Sequence, residues 1–534
     1  MSTTAAALAA ESAGSTESPA LAASAASAAS ARVKPIRFNA FAMNTVGHQS
    51  PGLWTHPRDE SHRYTEPEYW IDLARLLERG GFDSVFLADV LGVYDVHGGS
   101  PDAALRHAVQ VPLNDPLALV PLMASVTTHL GFGVTAALTY EPPYSFARRI
   151  STLDHLTRGR IGWNIVTGYL DSAARNLGQN GRRAHDERYD LADEYLDVVY
   201  KLWELSWADD AVRRDKTGRV YTDPSKVRAI HHHGPHYRVP GVHLCEPSPQ
   251  RTPVLFQAGT SSRGRAFAGR HAECVFVSGP STSVVKGYVS GLRDAVAEAG
   301  RARDDVLIYG QALIITAPTG AEARAKHEDL KSHIDIEAAL ALLSGWTGVD
   351  FSRYPLDATI DYLDTQAGRT ALASFSSADP TRRWTVGEAA AFIGLGGRGP
   401  VFVGDPSEIA DQLIEWQDAT GLDGFNLAFA LAHETFRDVV DLVVPELRRR
   451  GRYRPEAGDG ADVAAAPRTL RARLFGEGNG LKPTHAGRRV RLGEASAGNA
   501  GNAEATDATT SAATVDGREP TLTSLDIPLT EPVA

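Results

Sequence analysis

The sequence predicts an α/β protein in which eight parallel strands close into a (β/α)8 TIM barrel. Short β-branched or aromatic runs alternate with longer segments that have helical hydrophobic spacing, and polar residues follow several of the apolar runs. This alternation is typical of βαβ units, and eight such units fit a closed barrel better than an open sheet. In such a barrel we expect the functional residues at the carboxyl ends of the strands.

The first half of the chain supplies four strand and helix pairs. The predicted strands are 36–43, 84–89, 131–138 and 160–167. The helices between and after them are 67–79, a helix that opens at Asp115 and Pro116, 144–156 and 186–203. Asp115 can cap that helix, and Pro116 suits its first position. Four more strands follow, at 254–258, 274–278, 306–315 and 424–430.

Two segments interrupt this rhythm within a barrel predicted over 32–454. Residues 207–253 are rich in Asp, Lys, Gly, His and Pro, which predicts an insertion with irregular or hairpin structure. Residues 319–398 are longer than one connection needs and contain helical patterns of their own. We therefore expect a second insertion over the barrel mouth, and it is the candidate lid.

The two ends of the chain have a different composition. Residues 1–31 are dominated by Ala, Ser, Thr and Glu and lack the basic and apolar regions of a signal peptide, which favours a disordered extension or a mistaken start codon. Residues 455–534 show no hydrophobic period and predict a second low-complexity, disordered tail. We expect that neither tail is needed for folding.

Composition limits the classes of function. Hydrophobic residues make up 43% of the chain and charged residues 22%, so a large core is possible. The net charge of −11 comes without a basic block in the folded part, which argues against a nucleic-acid or membrane surface and favours a small-molecule partner. No apolar stretch approaches the ~20 residues needed to span a bilayer. The two cysteines suit a cytoplasmic location.

Polar residues that end the predicted strands are expected to share one rim of the barrel. They are Asp89, Thr135, Asn164, Thr167 and the segment 259–262. A capping role is the alternative for Asp89. The segment from Gly259 to Arg265 puts glycine and two serines between a strand and a helix start, where free N–H groups and the helix dipole favour an anion. A structural turn with good capping residues would have the same sequence.

A histidine and a tyrosine open the helix after the fourth strand. His185 and Tyr189 are four residues apart and therefore lie on one face of that helix, near its amino terminus. From this position the two side chains can reach a common ligand. Alone, a histidine at a helix start is more often a capping residue.

Two other sequence patterns suggest binding sites that their context does not support. The run from Gly394 to Gly399 matches the dinucleotide fingerprint, but a helical run precedes it and a strand-like run follows, which reverses the required context. We interpret it as a flexible lid segment. The cluster of His231, His232, His233, His236 and His243 invites a metal interpretation but lies in the first insertion, so we predict no metal site.

Ordered motifs along residues 37–453 resemble the luciferase-like flavin monooxygenases. The branch is the one that contains nitrilotriacetate monooxygenase component A, dibenzothiophene-sulfone monooxygenase and the pristinamycin synthase large subunit. The motifs are Phe86-Leu-Ala-Asp89, Gly131-Phe-Gly-Val-Thr135, Pro142-Pro-Tyr-Ser-Phe-Ala-Arg148, Thr152-Leu-Asp-His155-Leu, Gly159-Arg-Ile-Gly-Trp163-Asn164-Ile-Val-Thr167, His185-Asp-Glu-Arg-Tyr189, Phe256-Gln-Ala-Gly-Thr-Ser261-Ser-Arg-Gly-Arg265 and Asp423-Gly-Phe-Asn426-Leu.

The resemblance implies a cofactor, partners and site residues. It makes Asp89, Thr135, His185, Tyr189 and Ser261 the FMN-contacting residues, with Ser262 a further contact at the phosphate. It implies that a separate flavin reductase supplies FMNH2, and that one oxygen atom of O2 passes to a small substrate. His185 or Tyr189 is then the candidate for holding or supplying a proton. We also expect a homo-oligomer.

One departure and two alternatives accompany the resemblance. Gly168 stands where several relatives have serine, which puts substrate contacts at that position in doubt. The first alternative is a deazaflavin-dependent oxidoreductase of the same superfamily, and the second is a flavin-binding protein without turnover.

Overall fold

The computed structural model describes residues 34–181, 183–361, 369–378, 382–454, 468–476 and 478–492. The amino-terminal extension predicted at 1–31 lies outside the described residues, as do residues 455–467 and 493–534 of the predicted carboxyl tail. In the described part of the chain, no helix is both long enough and apolar enough to cross a membrane.

Eight parallel strands form a closed barrel. Each strand pairs with the next along the chain, and the eighth returns to the first through the register that sets Arg37 opposite Gly424. The predicted fold class is therefore confirmed, and each strand boundary lies within two residues of its predicted position. The strands are β1 (Arg37–Met43), β2 (Ser84–Ala88), β3 (Gly131–Ala137), β4 (Ile161–Val166), β5 (Val254–Gln257), β6 (Cys274–Val277), β7 (Leu307–Thr316) and β8 (Gly424–Ala428).

Helices surround the barrel and fill the connections. They are α1 (Pro67–Arg79), α2 (Asp102–Arg106), α3 (Leu119–Ala124), α4 (Pro143–Leu156), α5 (Asp171–Asn176), α6 (His185–Tyr200), α7 (Ser262–His271), α8 (Thr282–Glu298), α9 (Gly320–Lys331), α10 (Ile336–Thr347), α11 (Arg369–Ser374), α12 (Val386–Ile393), α13 (Pro406–Thr420), α14 (Glu434–Asp438), α15 (Val444–Arg449), α16 (Leu470–Phe475) and α17 (Ala486–Leu492). A π-helical turn, Lys201–Leu205, extends α6.

Hydrophobic spacing explains how these helices cover the strands. In α1, proline occupies the first turn, and Trp70, Leu73 and Leu77 are buried at spacings of three and four residues. The same principle places one large buried cluster between the strands and the outer helices. Asp405 caps α13 by accepting hydrogen bonds from the Ser407 and Glu408 backbone N–H groups.

The two interrupting segments have structures of their own. Between residues 207 and 253, antiparallel pairing joins Val212–Asp215 to Val220–Thr222 and His232–His233 to Arg238–Val239. Between 319 and 398, helices α10 to α12 contribute to a separate hydrophobic cluster that includes Trp384. The strand Val401–Gly404 then pairs in parallel with the end of β7, outside the barrel ring.

The carboxyl-terminal segment differs from expectation. Residues 468–476 and 478–492 pack on the barrel, so the prediction of a disordered tail is wrong for this part. Leu470 and Leu474 of α16 are buried in one cluster with barrel residues such as Phe256. Arg471 is buried beside Glu273, with Nε to Oε1 at 2.7 Å, and donates to the Thr252 and Pro253 carbonyls. Burial of apolar surface and a paired charge together hold α16 against the amino ends of the strands.

Candidate active site

A cavity of about 350 Å³ opens at the carboxyl ends of the barrel strands. Five of the six predicted site residues line it: Asp89, Thr135, His185, Tyr189 and Ser261. The sixth, Ser262, is the first residue of α7, is exposed and does not line this cavity. The cavity therefore brings together residues that lie near or beyond the carboxyl ends of four different strands, as expected for a barrel site.

Ser261 sits at the amino cap of α7. Its Oγ accepts the backbone N–H of Gly264 at 3.1 Å, which is the standard capping contact. A Cβ atom at Gly264 would lie 3.0 Å from both Ser261 Oγ and the Tyr189 hydroxyl. Glycine therefore lets the helix start approach the tyrosine closely, and the first turn of α7 has N–H groups without intrahelical acceptors.

His185 and Tyr189 begin α6 on the same side of the cavity. Nε2 of His185 lies 3.5 Å from Ser261 Oγ, and its Nδ1 lies 2.7 Å from the Asp186 carboxylate. The Tyr189 ring lies 5.3 Å from the His185 ring and 5.4 Å from that of Phe267. Burial raises the pKa of the Tyr189 hydroxyl, so it is protonated at neutral pH and can donate a hydrogen bond.

Uncommitted amide oxygens face the same cavity. Asn164 donates to Thr135 Oγ1 at 2.9 Å, which fixes the threonine at the end of β3. Among the described residues, the side-chain oxygens of Asn164, Gln257 and Asn426 are buried without a hydrogen-bond partner. Buried polar atoms normally have partners, so these oxygens mark positions where a bound molecule can donate.

Asp89 follows β2, and its carboxyl group has a raised pKa. Burial raises its pKa to about 7, with a smaller contribution from the charge of Asp115, while a hydrogen bond from the Val90 backbone opposes the shift. Among the described residues that line the cavity, it is the only carboxylate. At neutral pH it therefore exchanges between the acid, which donates a hydrogen bond, and the carboxylate, which only accepts.

The histidines of the first insertion do not converge. His232 is buried against Glu194 and His243 against Ser151, while His231, His233 and His236 are exposed. A different group, His56, Asp329 and His333, has ligand atoms within 4.8 Å of one another. There Nδ1 of His56 accepts the Arg58 backbone N–H, so Nε2 carries the proton and donates to Asp329. Both ring nitrogens of His56 therefore have hydrogen-bond partners within the protein.

Comparison with known proteins identifies the family of this chain. Residues 42–423 match the family of luciferase-like monooxygenases. The chain is 48% identical over 453 residues to dimethyl-sulfide monooxygenase from Hyphomicrobium sulfonivorans, covering 85% of this chain and 93% of that protein. It is 47% identical over 446 residues to long-chain alkane monooxygenase from Geobacillus thermodenitrificans, covering 84% and 95%.

The chain belongs to the luciferase-like monooxygenase family. The branch expected from the sequence is also confirmed, because dibenzothiophene-sulfone monooxygenase from Rhodococcus erythropolis is 39% identical over 422 residues, covering 78% of this chain and 92% of that protein. A crystal structure of riboflavin lyase with modified FMN and riboflavin superposes with a TM-score of 0.79 at 38% identity, covering 86% of this chain and all of that one.

This luciferase-like site contains further residues that sequence reasoning missed. His48 and Gln49 lie just beyond β1, and the Gln49 amide lies 3.2 Å from His48 Nε2. Burial lowers the pKa of His48 to about 3, so its ring is neutral. Gln110 donates to the His48 carbonyl and accepts from the Tyr94 hydroxyl. His48 and Gln49 could have been found from the sequence, because they are polar residues that follow the first strand. Gln110 lies between secondary-structure elements, and no sequence pattern indicated it.

The glycine-rich segment 394–399 also contributes to the site. As predicted, a helix precedes it and a strand follows, so it is not a dinucleotide loop. Gly396 and Gly397 have positive φ and pack tightly on the rim, and the interpretation of the segment as part of a flexible lid stays a prediction. A Cβ atom at Gly397 would lie 2.1 Å from Gln49 Oε1 and 2.4 Å from Gln311 Nε2. The segment brings Arg398 into the cavity wall.

Proposed function

We propose that this chain is the oxygenase component of a two-component monooxygenase, which uses FMNH2 from a separate flavin reductase and transfers one oxygen atom of O2 to a small organic substrate. The observation that carries the proposal is the convergence of Ser261, His185 and Tyr189 at one end of the cavity. Two helix starts meet there, and a helix start favours an anion such as the flavin phosphate.

The loop that begins at Gly259 fits a phosphate. Backbone N–H groups of the first turn of α7 and the hydroxyls of Ser261 and Tyr189 are its donors, and Gly264 keeps the approach open. Ser262 lies outside the cavity lining, so its contribution would come from its backbone N–H group rather than from its hydroxyl.

The wider cavity fits the flavin ring system. Phe41, Phe86 and Phe276 supply an apolar wall, and the uncommitted oxygens of Asn164, Gln257 and Asn426 can accept from ring N–H groups. Asp89 and Thr135 add a titrating carboxyl and a hydroxyl. When bound, the reduced flavin supplies the electrons that activate O2.

The chain itself controls water and protons. Trp346, Ala371 and Arg398 of the second insertion complete the cavity wall, and we propose that this insertion is the lid that keeps water from the reacting atoms. His185 and Tyr189 are the proposed proton-holding groups, His185 through Nε2 and Tyr189 through its hydroxyl.

The relatives support the cofactor and the reaction class. Two relatives, at 48% and 47% identity, are named as monooxygenases, and the crystal structure of riboflavin lyase contains modified FMN. From that similarity we propose that this chain also uses FMN and O2, receives its reduced flavin from a reductase and forms a homo-oligomer. Two cysteines without a disulfide fit a cytoplasmic location.

The test combines flavin binding with turnover. Purified protein should contain little flavin and should bind FMNH2 more tightly than FMN in anaerobic titrations, because the cofactor must enter reduced and leave oxidised. A generic flavin reductase, NADH and a panel of sulfides, sulfones and alkanes, each with and without a carboxylate or sulfonate group, should give at least one product that carries one atom of 18O2. Tightly held flavin that NADH reduces directly would contradict the two-component proposal.

The two alternatives give different results in the same assays. A deazaflavin-dependent oxidoreductase would bind the deazaflavin rather than FMNH2 and would transfer hydride without consuming O2, which absorbance spectra of the bound cofactor distinguish. A flavin-binding protein without turnover would bind FMNH2 but would yield no labelled product with any substrate.

A further inference from the structure

Arg398 is a charged residue that the proposed flavin chemistry does not use. It lies in the glycine-rich segment 394–399, at the end of the second insertion, and its side chain lines the cavity. The side chain is only partly exposed, and burial lowers its pKa. A guanidinium nevertheless stays charged at neutral pH, so the cavity wall carries a fixed positive charge.

No acidic side chain neutralises this charge within the described part of the chain. The ion pairs found there involve other arginines and lysines, and no carboxylate lies within 4.0 Å of the Arg398 guanidinium. The ionisable groups that act on it are the Tyr169 and Tyr288 hydroxyls. Burial raises the pKa of Tyr169 to about 12, so that phenol is neutral at physiological pH.

The guanidinium is also held in place. Its central carbon lies 5.5 Å from the centre of the Trp346 ring, a cation–π contact that orients the planar group and offsets part of its desolvation. Gly397, beside it, cannot carry a side chain because Gln49 and Gln311 fill that space. Arg398 is thus a partly buried, oriented donor without an anionic partner among the described residues, which costs free energy unless a ligand completes the pair.

We propose that Arg398 binds an anionic oxygen group of the substrate, a carboxylate or a sulfonate, and so selects acidic substrates. The inference rests on the proposed function because it assigns the substrate class of the same cavity. Arginine matches the two oxygens of such a group with two parallel N–H donors, and this geometry gives strength and orientation together. The apolar remainder of the cavity would hold the rest of the substrate.

The flavin phosphate is a second anionic group that an arginine in this cavity can bind. The α7 helix start, together with Ser261 and Tyr189, already offers donors for that phosphate, and Arg398 instead stacks on Trp346 in the second insertion. Reduced riboflavin lacks the phosphate, so comparing it with FMNH2 separates the two sources. If Arg398 binds the phosphate, its removal weakens FMNH2 binding but not the binding of reduced riboflavin.

The experiment is calorimetric titration of the full-length protein saturated with FMN. The probes are three matched pairs: benzoate and benzamide, octanoate and octanamide, and 3-(methylthio)propanoate and its amide. Variants are Arg398→Gln and Arg398→Lys. The control is Arg382→Gln, whose guanidinium also stacks on a tryptophan, 3.5 Å from the Trp384 ring centre, but is exposed and does not line the cavity.

We expect at least one carboxylate to bind the wild type tenfold or more tightly than its amide. Arg398→Gln should remove that preference, a change of about 1.4 kcal/mol for each factor of ten, and Arg398→Lys should retain part of it. Arg382→Gln should behave as the wild type. FMN binding should be unchanged in every variant.

Two results would overturn the proposal. One is a wild type that shows no preference for any carboxylate, which needs no variant to fold. The other is a selective loss of FMNH2 affinity in Arg398→Gln with reduced riboflavin unaffected, which would assign Arg398 to the phosphate. Failure of the protein to bind FMN or FMNH2 at all would instead contradict the proposed function, so the two failures are distinguishable.

Discussion

The side-chain oxygen of Ser261 lies 3.5 Å from Nε2 of His185, and this contact joins the starts of two helices that follow neighbouring strands of the barrel. Both helices direct the positive ends of their dipoles to the same place. A negatively charged ligand there gains from both dipoles, whereas a negatively charged side chain there competes with it.

Ser261→Asp should therefore weaken FMNH2 binding while the fold survives. Aspartate caps a helix as well as serine does, but its charge repels a phosphate dianion by on the order of a few kcal/mol, roughly a hundredfold in affinity. Anaerobic flavin titration and calorimetric unfolding measure the two effects separately. The control is Ser281→Asp at the cap of α8, which does not line the cavity. Unchanged flavin affinity in a folded Ser261→Asp protein would move the phosphate elsewhere on the rim.

Tyr189→Phe should lower the affinity for FMNH2 by about tenfold and change the free energy of unfolding little. The ring keeps its packing on Phe267, and only a hydroxyl beside the α7 start is lost, worth about 1 to 1.5 kcal/mol as a hydrogen bond to the ligand. Tyr195→Phe is the matched control, because its hydroxyl is buried on the same helix without a partner among the described residues and does not line the cavity. Equal flavin affinities in the two variants would exclude a flavin contact by Tyr189.

Asp89→Asn should change how stability depends on pH. Burial raises the pKa of Asp89 from 3.8 to about 7, so between these values the unfolded chain is ionised while the folded chain keeps the proton. The raised pKa therefore adds to the free energy of unfolding at about pH 4. This contribution, at most about 4 kcal/mol, is lost as the pH rises to about 7. Without ligand, the variant should lose less stability than the wild type between about pH 4 and pH 8.

Denaturant unfolding of the flavin-free protein at several pH values measures this difference. Asp72→Asn, at an exposed carboxylate of α1, is the control and should follow the wild-type profile. Parallel profiles for Asp89→Asn and the wild type would show that Asp89 ionises normally in the folded protein.

Arg471→Ala should destabilise the protein by about 3 to 5 kcal/mol, because it leaves Glu273 buried without its partner. Arg449→Ala removes an exposed arginine that pairs with Glu446 at the surface, and it should cost far less stability than Arg471→Ala. Chemical denaturation of both variants tests the difference. A truncation after Arg454 should destabilise the barrel further, whereas one after Glu494 retains α16 and α17. Wild-type stability in the protein that ends at Arg454 would show that α16 contributes nothing.

The barrel strands could be predicted closely because parallel strands buried on both faces appear as short, nearly continuous apolar runs. Polar residues directly after such runs indicated Asp89 and Thr135, and helical spacing paired His185 with Tyr189. The capping role of Ser261 could also be predicted, because serine is a preferred residue at the amino cap of a helix.

Other residues could not be predicted because tertiary packing, and not local pattern, gives them their role. In α16 only Leu470 and Leu474 repeat at helical spacing, and two arginines lie between them, so the segment resembles the low-complexity sequence around it. Arg398 lies in a glycine-rich run whose pattern suggested a mobile surface. Its function depends on Trp346, about fifty positions away in sequence, and no local rule links the two.

The position of α16 has a consequence for biosynthesis. β8 can close the barrel on β1 only when the ribosome has made nearly all of the described chain, and α16 covers Phe256 and Tyr309 later still. Until then the nascent chain exposes unpaired strand edges and the apolar surface that α16 later covers. Both features promote aggregation. A message cut short before codon 470 therefore yields a polypeptide with every residue of the proposed flavin site but an unsealed core, which chaperones and proteases recognise.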